Sequence, residues 1–350
     1  MPLFLGQRLG IHDTINVRHP YLEQLFVQLK AIDWVEDEVN LDKDRIQFEQ
    51  CTSEIKDIMI KNLAFQAELD SIASRSAGVL IAPFISNSEL WRLDLAIAVN
   101  EVLHSATYTH IIKMCLKDTS EFFDEVYKNN QVLNRADKVS EVFHEIQGLG
   151  AYYTLHGLDG VHSEEKFEEA IVKYWVAMYA LERIQFMVSF AATFALAEQN
   201  WFLGISSLVQ KILKDEHTIH VKRAKYVVNV LKKEFKDSFE KALPELKDIV
   251  DEVIKSEYTW AEYLFSEGRK VVGLNENLSK QWVNYCAEEV YETLGLDLPF
   301  EKQSETPLLF MNKWINIDKI QTAAQETELT NYKLNSWVDD VPEQFNYKWE

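Results

Sequence analysis

Acidic and histidine side chains occur in this chain inside segments that are otherwise apolar. Asp70 lies in FQAELDSIASR, and Glu101 and His104 form an E-x-x-H motif in AVNEVLHSATYTH. Glu182 interrupts the apolar run WVAMYALERIQFMVSF, and Glu216 begins an acid–histidine cluster in KDEHTIH. An isolated ionised carboxylate in a protein core is costly, so it is normally paired or bound to a metal ion. Residues three apart share a helix face, so the E-x-x-H pair can reach one ion.

This order of acids and histidines predicts a dimetal site. Carboxylates from two helices, together with E-x-x-H motifs from two others, form the dimetal centre of ferritin-like bundles. Oxygen-rich ligands with one imidazole per metal suit iron or manganese better than structural zinc. One E-x-x-H motif is a weak signal because acidic helices produce it by chance. Glu182 is a stronger signal because its surroundings are strongly hydrophobic.

The elements that must position these side chains are long helices. No proline occurs between Pro83 and Pro244, and no glycine occurs between Gly78 and Gly148. The main helix-breaking residues are therefore missing from long stretches of the chain. Apolar residues recur at spacings of three and four, which predicts helices at about 53–76, 86–116, 120–133, 137–157, 164–200, 203–234, 236–271 and 275–294. The expected fold class is all-α, a ferritin-like helical bundle.

Composition and charge exclude several other classes of protein. The 350 residues contain 36 Lys and Arg against 56 Asp and Glu, a formal net charge of −20, and 47% of them are hydrophobic. This is a globular rather than a disordered composition. Negative charge argues against binding nucleic acid or anionic membranes, because phosphates would be repelled. With sparse cysteines, no signal-peptide core and no apolar run approaching about 20 residues, we expect a cytoplasmic protein without a membrane span.

The end of the chain differs from the rest. From about Gln321 the sequence is polar and acidic, yet it keeps the aromatic residues Tyr332, Trp337, Phe345, Tyr347 and Trp349. Such a segment is typical of a docking tail, and a floppy terminus with chance aromatics is the competing interpretation. We therefore divide the chain into a helical domain over residues 1–320 and a tail over residues 321–350.

These motifs, in this order, resemble the radical-generating small subunit of class I ribonucleotide reductase. The resemblance covers nearly the whole chain and is carried by DWVEDEVNLDKDRI, NLAFQAELDSIASRS, EVLHSATYTHII, ALERIQFMVSFAATFALAE, KDEHTIH and QTAAQETELTNYKL. It implies a dimetal centre that, with O2, generates a stable tyrosyl radical. The radical would be passed to a large subunit, which reduces ribonucleotides to deoxyribonucleotides. The nucleotide sites belong to that large subunit, in agreement with the lack of a phosphate-binding Gly-rich loop here.

The resemblance also implies a role for each motif residue. The metal ligands would be Asp70, Glu101, His104, Glu182, Glu216 and a histidine after Glu216. Tyr108 would carry the radical, and its place four residues after His104 independently directs its phenol toward the metals. The cofactors would be two iron ions, with manganese as the alternative, and the tyrosyl radical itself.

Further roles concern the surroundings of the radical and its transfer. By resemblance, an apolar wall that excludes water would be formed by Phe186, Phe190 and Ile212. Trp34 and Asp215 would carry the oxidising equivalent from the metal site, with His104 hydrogen-bonded to Asp215.

The tail would connect the radical to the partner protein. By resemblance, Tyr332 would relay the radical to the large subunit, Glu326 would support that relay, and the aromatic C-terminus would dock on the large subunit. The small subunit would also form a homodimer.

The segment after Glu216 departs from the family pattern. The family's helix reads E-x-x-H, but here Ile219 occupies the histidine position and lies between His217 and His220. In one interpretation, which we favour, a one-residue π-bulge restores the register so that His220 ligates the metal, since such bulges favour functional sites. In the other, the helix is shifted so that His217 and His220 supply the ligands, with a histidine in place of the acid.

Two other functions compete with the leading one. A ferritin-like dimetal oxidase or monooxygenase acting directly on a small organic substrate would need the metal ligands, but not Trp34, Tyr108 and Tyr332. An iron-storage or scaffold protein with a vestigial site is the alternative outside the enzymes. The joint presence of these three aromatic residues favours the radical-generating subunit.

Overall fold

The computed structural model describes residues 2–7, 13–120, 122, 123, 127 and 134–316. Within these residues the regular elements are helices, and β pairing is limited to two isolated bridges. The predicted all-α class is confirmed. The predicted tail, with Tyr332 and Glu326, lies outside the described residues, and so does most of the helix predicted over 120–133.

The helices of the described residues are between 5 and 29 residues long. In chain order they are α1 Pro20–Ala31, α2 Asp42–Gln50, α3 Ser53–Ser76, α4 Ser88–Cys115, α5 Asp137–His156, α6 Glu164–Ala180, α7 Met187–Ala197, α8 Leu203–Asp215, α9 Val221–Glu234, α10 Lys236–Leu264, α11 Glu276–Leu294 and α12 Met311–Ile315. Two π-helical segments join consecutive helices: Leu181–Gln185 connects α6 to α7, and Glu216–His220 connects α8 to α9.

Four of these helices differ from the sequence prediction, which placed a longer helix at α10 and no helix at α1, α2 or α12. Helix α10 ends at Leu264 rather than near residue 271, and Glu267 and Gly268 beyond it adopt φ values of 56° and 81°, which are not helical. Helix α1 begins with a proline at its first position, where the missing N–H costs nothing. Helix α2 is polar and buries only Asp44 and Phe48. It therefore lacks the apolar period that reveals a helix in a sequence.

The centre of the bundle is formed by four helical rods, namely α3, α4, α6–α7 and α8–α9. Helix α3 packs against α4 and α7, α4 also contacts α8, and the two π segments contact each other. Helix α10 covers α6 and packs in turn against α11. The rods α6–α7 and α8–α9 therefore meet where their helical register changes, opposite α3 and α4.

The rod Glu164–Ala197 is the most apolar helix of the bundle. By length and composition it could cross a membrane, because an 18-residue stretch of it has a mean hydropathy of 1.3. However, 94% of that stretch is buried inside the protein. A helix that is hydrophobic all round and covered on every side is the core helix of a large bundle. No other helix among the described residues has this length and hydropathy.

Candidate metal centre

Six acidic and histidine side chains from the four rods converge in the middle of the bundle. All six are fully buried. Their ligand atoms form two groups, each within 4.8 Å, namely Asp70, Glu101, His104 and Glu216, and Glu101, Glu182, Glu216 and His220. Glu101 and Glu216 belong to both groups. Two carboxylates shared in this way are placed to bridge two ions.

The π segment Glu216–His220 places both of its end residues in this cluster. His220 Nδ1 lies 3.0 Å from Glu216 Oε2 and 3.0 Å from Glu101 Oε1. Because a π turn contains one residue more than an α turn, it returns His220 to the face that carries Glu216. His217 belongs to neither group of potential ligands, and burial lowers its pKa to about 4. The structure thus contains the predicted π-bulge, which brings His220 rather than His217 to the face of Glu216.

Hydrogen bonds on the outer side of the cluster fix the orientation of both histidine rings. His104 Nε2 donates to Asp215 Oδ2 at 3.1 Å, and His220 Nε2 donates to Asn100 Oδ1 at 2.9 Å. Asn100 Nδ2 donates in turn to Asp215 Oδ2 at 3.0 Å. Both rings thus direct Nδ1 toward the clustered carboxylates, the side on which a metal-bound histidine has its ligating nitrogen. The sequence reasoning missed Asn100, whose one signal is its place directly before Glu101.

The donor set fits a pair of cations. Both oxygens of each of the four acids, and Nδ1 of both histidines, are buried without a hydrogen-bond partner among the described residues. Burial, followed by the charge of Glu101, raises the pKa of Asp70 well above its usual range, and burial, followed by Glu216, does the same for Glu182. Bound cations would remove this cost. Carboxylates with imidazoles suit iron or manganese, so the residues present fit a dimetal centre.

Tyr108 lies one helical turn after His104 on α4. It is fully buried, and its hydroxyl makes no hydrogen bond among the described residues. Burial, followed by the negative charge of Asp70, raises its pKa well above the usual range. The side chain is therefore held as a neutral phenol, and removal of an electron from it must be accompanied by loss of its proton.

Apolar side chains line the rods that carry Glu182 and Glu216. Phe186, Phe190 and Ile212 are fully buried. The two phenylalanine rings are stacked with centroids 5.6 Å apart and an interplanar angle of 16°. These three residues make both rods apolar in the turns next to the acids, and exclusion of water and reductants by them stays a prediction.

Trp34 connects the cluster to the edge of the bundle. Its Nε1 donates to Asp215 Oδ2 at 2.8 Å, and its ring is stacked on the ring of His104 with centroids 6.1 Å apart. Asp215 Oδ2 thus accepts from three side chains, those of Trp34, Asn100 and His104. Of the relay residues singled out in the sequence, the structure brings Trp34 and Asp215 together.

Sequence comparison relates the whole chain to one enzyme family. A family model described as "Ribonucleotide reductase, small chain" matches residues 12–307. Ribonucleoside-diphosphate reductase 1 subunit beta of Escherichia coli O157:H7 is 32% identical over 355 aligned positions, covering 97% of this chain and 93% of that protein. The beta subunit of Enterobacteria phage T4 is 27% identical and covers 97% and 93%, respectively.

Solved structures share the fold. The ribonucleotide reductase R2 subunit from Clostridium botulinum has a TM-score of 0.77 at 18% identity, covering 90% of this chain and 94% of that one. Dimanganese(II)-NrdF from Streptococcus sanguinis has a TM-score of 0.71 at 17% identity, covering 87% and 99%. The likeness, together with the buried carboxylate–histidine cluster, confirms a ferritin-like helical bundle.

Proposed function

Because the chain belongs to the ribonucleotide reductase small chain family, we propose that it is the small subunit of a ribonucleoside-diphosphate reductase with Tyr108 as its radical site. The observation that carries this proposal is the pair of ligand groups that share Glu101 and Glu216, one helical turn from a buried phenol. The reaction of the holoenzyme is the reduction of ribonucleotides to deoxyribonucleotides.

We assign the six clustered side chains to two metal ions. The first ion would be held by Asp70, Glu101, His104 and Glu216, and the second by Glu101, Glu182, Glu216 and His220. Iron is our choice for both, because the donor set suits it and because Tyr108 adjoins the site. Manganese is the alternative, and one structural neighbour is a dimanganese protein. When bound, the ions and O2 supply an oxidation that side chains alone cannot perform.

The chain's own residues control where that oxidation goes. Tyr108 would give up one electron to that oxidation and its phenolic proton to the carboxylate of Asp70, whose charge acts on the phenol, and would so become the stored radical. The apolar side chains of Phe186, Phe190 and Ile212 exclude water and reductants from it. Asp215, hydrogen-bonded to His104, and Trp34, hydrogen-bonded to Asp215, form the route by which the oxidising equivalent leaves the centre.

The partner is the large subunit of the reductase, and we place the contact in the tail. Residues 321–350 form the docking segment in this proposal, beyond a helical domain that ends near residue 320. Within the segment, Tyr332 relays the radical and Glu326 supports it. These assignments rest on the sequence, because the tail lies outside the described residues.

A homodimer and a cytoplasmic location complete the proposal. Helix α4 exposes an apolar stripe with a spacing of four and three residues, formed by Leu95, Val99 and Val102, which are 43%, 72% and 58% exposed. Such a stripe on a helix supports packing against a second copy of the chain. The sparse cysteines support a reducing compartment.

Turnover with the partner tests the function. The metal-loaded chain, mixed with a class I large subunit, a ribonucleoside diphosphate and a dithiol reductant, should form the deoxyribonucleotide, and neither protein alone should do so. A dimetal oxidase would instead consume O2 and an organic substrate without the large subunit. Product formation by the mixture alone supports the proposal, and loss of an organic substrate with the chain alone contradicts it.

A further inference from the structure

A buried arginine contacts the metal cluster from outside. Arg223 lies on α9, one turn after His220, and is 1% exposed. Its Nη1 donates to Asp94 Oδ1 at 3.0 Å, and its Nη2 lies 3.8 Å from Glu182 Oε1. The guanidinium carbon is 5.1 Å from the centroid of the Trp175 ring.

Two other helices hold this guanidinium in place. Asp94 belongs to α4 and Trp175 belongs to α6, so the position of the Arg223 head group is set independently of its own helix. Nε and Nη2 of Arg223 make no hydrogen bond among the described residues. The guanidinium is thus anchored through Nη1, while Nη2 is a free donor near the carboxylate of Glu182.

Arg223 places a positive charge beside one of the two ligand groups and not beside the other. Apart from the two histidines, it is the only cation paired with one of the four clustered acids in the described part of the chain. It approaches Glu182, which belongs to a single ligand group, and its neighbour is Oε1. The same Oε1 lies 3.9 Å from His220 Nδ1, so the guanidinium approaches Glu182 at the oxygen that faces a potential metal ligand.

We propose that Arg223, anchored by Asp94, is a positioning residue that orients the carboxylate of Glu182 toward the second metal position. The inference rests on the proposed function, because it requires that the cluster binds metal. It assigns the Asp94–Arg223 pair to the second position alone, since Asp70 at the first position pairs with no Lys or Arg within the described ranges. Groups outside the ligands that orient a metal site change its affinity by about 10–100-fold when they are replaced.

Arg223→Lys tests the geometry separately from the charge. Lysine keeps the positive charge but lacks the planar fork that can pair with Asp94 and reach Glu182 together. Asp94→Asn is the second variant, because it leaves Arg223 in place and weakens its anchor. The matched control is Arg269→Lys, which changes an arginine that is 4% exposed and pairs with Asp57, without contact to the cluster.

Each metal-free protein is titrated with manganese(II). The electron paramagnetic resonance signal of the free ion reports how much of the metal stays unbound. We expect wild type and Arg269→Lys to bind two ions per chain. In Arg223→Lys and in Asp94→Asn, one dissociation constant should rise by about 10–100-fold while the other stays unchanged, and the signal of the coupled ions should differ.

Other results have distinct meanings. If either variant folds and keeps both wild-type constants and the wild-type coupled signal, Arg223 does not orient Glu182 and the inference is wrong. If the wild-type chain itself binds fewer than two ions, the proposed metal centre fails, and with it the basis of the inference.

Discussion

Trp34 and Asp215 are 181 residues apart in the sequence but are joined by a buried hydrogen bond of 2.8 Å from the indole Nε1 to Oδ2. The same oxygen accepts from His104 at 3.1 Å. A short series of hydrogen bonds therefore leads from one histidine of the carboxylate–histidine cluster to a tryptophan at the edge of the bundle. We propose that this route carries an electron together with a proton.

Replacement of Trp34 by phenylalanine should separate radical storage from radical use. Trp34→Phe removes the indole donor but leaves the metal ligands and Tyr108 in place, so we expect two metals per chain and a tyrosyl signal. Turnover with the large subunit should fall by about 100-fold or more, because the route is interrupted. Trp314→Phe is the control, since this buried indole also donates to a carboxylate, that of Glu198. Wild-type turnover in Trp34→Phe would show that the route does not pass through Trp34.

The two histidines of the π segment should differ in their effect on metal content. His220 is fully buried with Nδ1 at 3.0 Å from two glutamates, whereas His217 lies outside both ligand groups. We expect His220→Ala to lower the content from about two metals per chain to about one, and His217→Ala to leave it unchanged. Metal analysis after gel filtration measures both, and equal metal content in the two variants would contradict ligation by His220.

Stability in acid should depend on Glu289, an ion-paired residue of α11. Arg183 Nε donates to Glu289 Oε2 at 2.8 Å, and Lys225 Nζ donates to Oε1 at 2.7 Å. Burial acts to raise the pKa of Glu289, but Arg183 and Lys225 outweigh it and lower the pKa to about 2. This folded-state pKa is below the unfolded one. The interaction of Glu289 with its two cations therefore stabilises the protein above about pH 4.5, and that stability is lost as the pH falls toward 2.

Glu289→Gln should therefore cost about 1–3 kcal/mol of unfolding free energy at pH 7, and the loss relative to wild type should shrink between about pH 5 and pH 2. Urea unfolding of the metal-free proteins at each pH measures this difference. Glu292→Gln on the same helix is the control, because its partner Lys302 is exposed. A loss that stays constant over this pH range would contradict the role of the ion pair.

Removal of the end of the chain should abolish turnover but not the radical. We expect a chain ending at Asp339 to keep both metals and the tyrosyl signal, because the cluster lies entirely within the described helices. It should lose turnover with the large subunit, since the docking residues are gone. A synthetic peptide of residues 340–350 should inhibit the wild-type pair by competing for the large subunit. Full turnover by the shortened chain would remove the docking role from this segment.

Much of the fold could be predicted because long helices leave a clear apolar period in the sequence. The apolar period and the lack of Pro and Gly predict α3 over the residues that the structure shows, Ser53–Ser76. The acids were found because a charged residue inside an apolar run is unusual, as Glu182 illustrates. The π segment at Glu216–His220 could be anticipated because His220 stands one residue later than the histidine of an E-x-x-H motif.

Other features depend on tertiary contacts that leave no local pattern. The π segment Leu181–Gln185 displaces no recognisable ligand, and Arg135 Nη2, from a distant part of the chain, donates to the Gln185 carbonyl at 2.8 Å. Asn100 and Arg223 are ordinary helix residues in the sequence, and only the packing of α4 against the other rods reveals their contacts with the cluster. Ligation itself stays a prediction for all six side chains.

The most direct test of the account is a single sample on which metal content and the electron paramagnetic resonance spectrum are both measured. The wild-type chain, loaded with iron(II) and then exposed to O2, should contain about two irons per chain and show a tyrosyl signal. Tyr108→Phe, treated in the same way, should contain the same iron and show no such signal. A persistent tyrosyl signal in Tyr108→Phe, or a wild-type chain that binds no iron, would contradict the central claim.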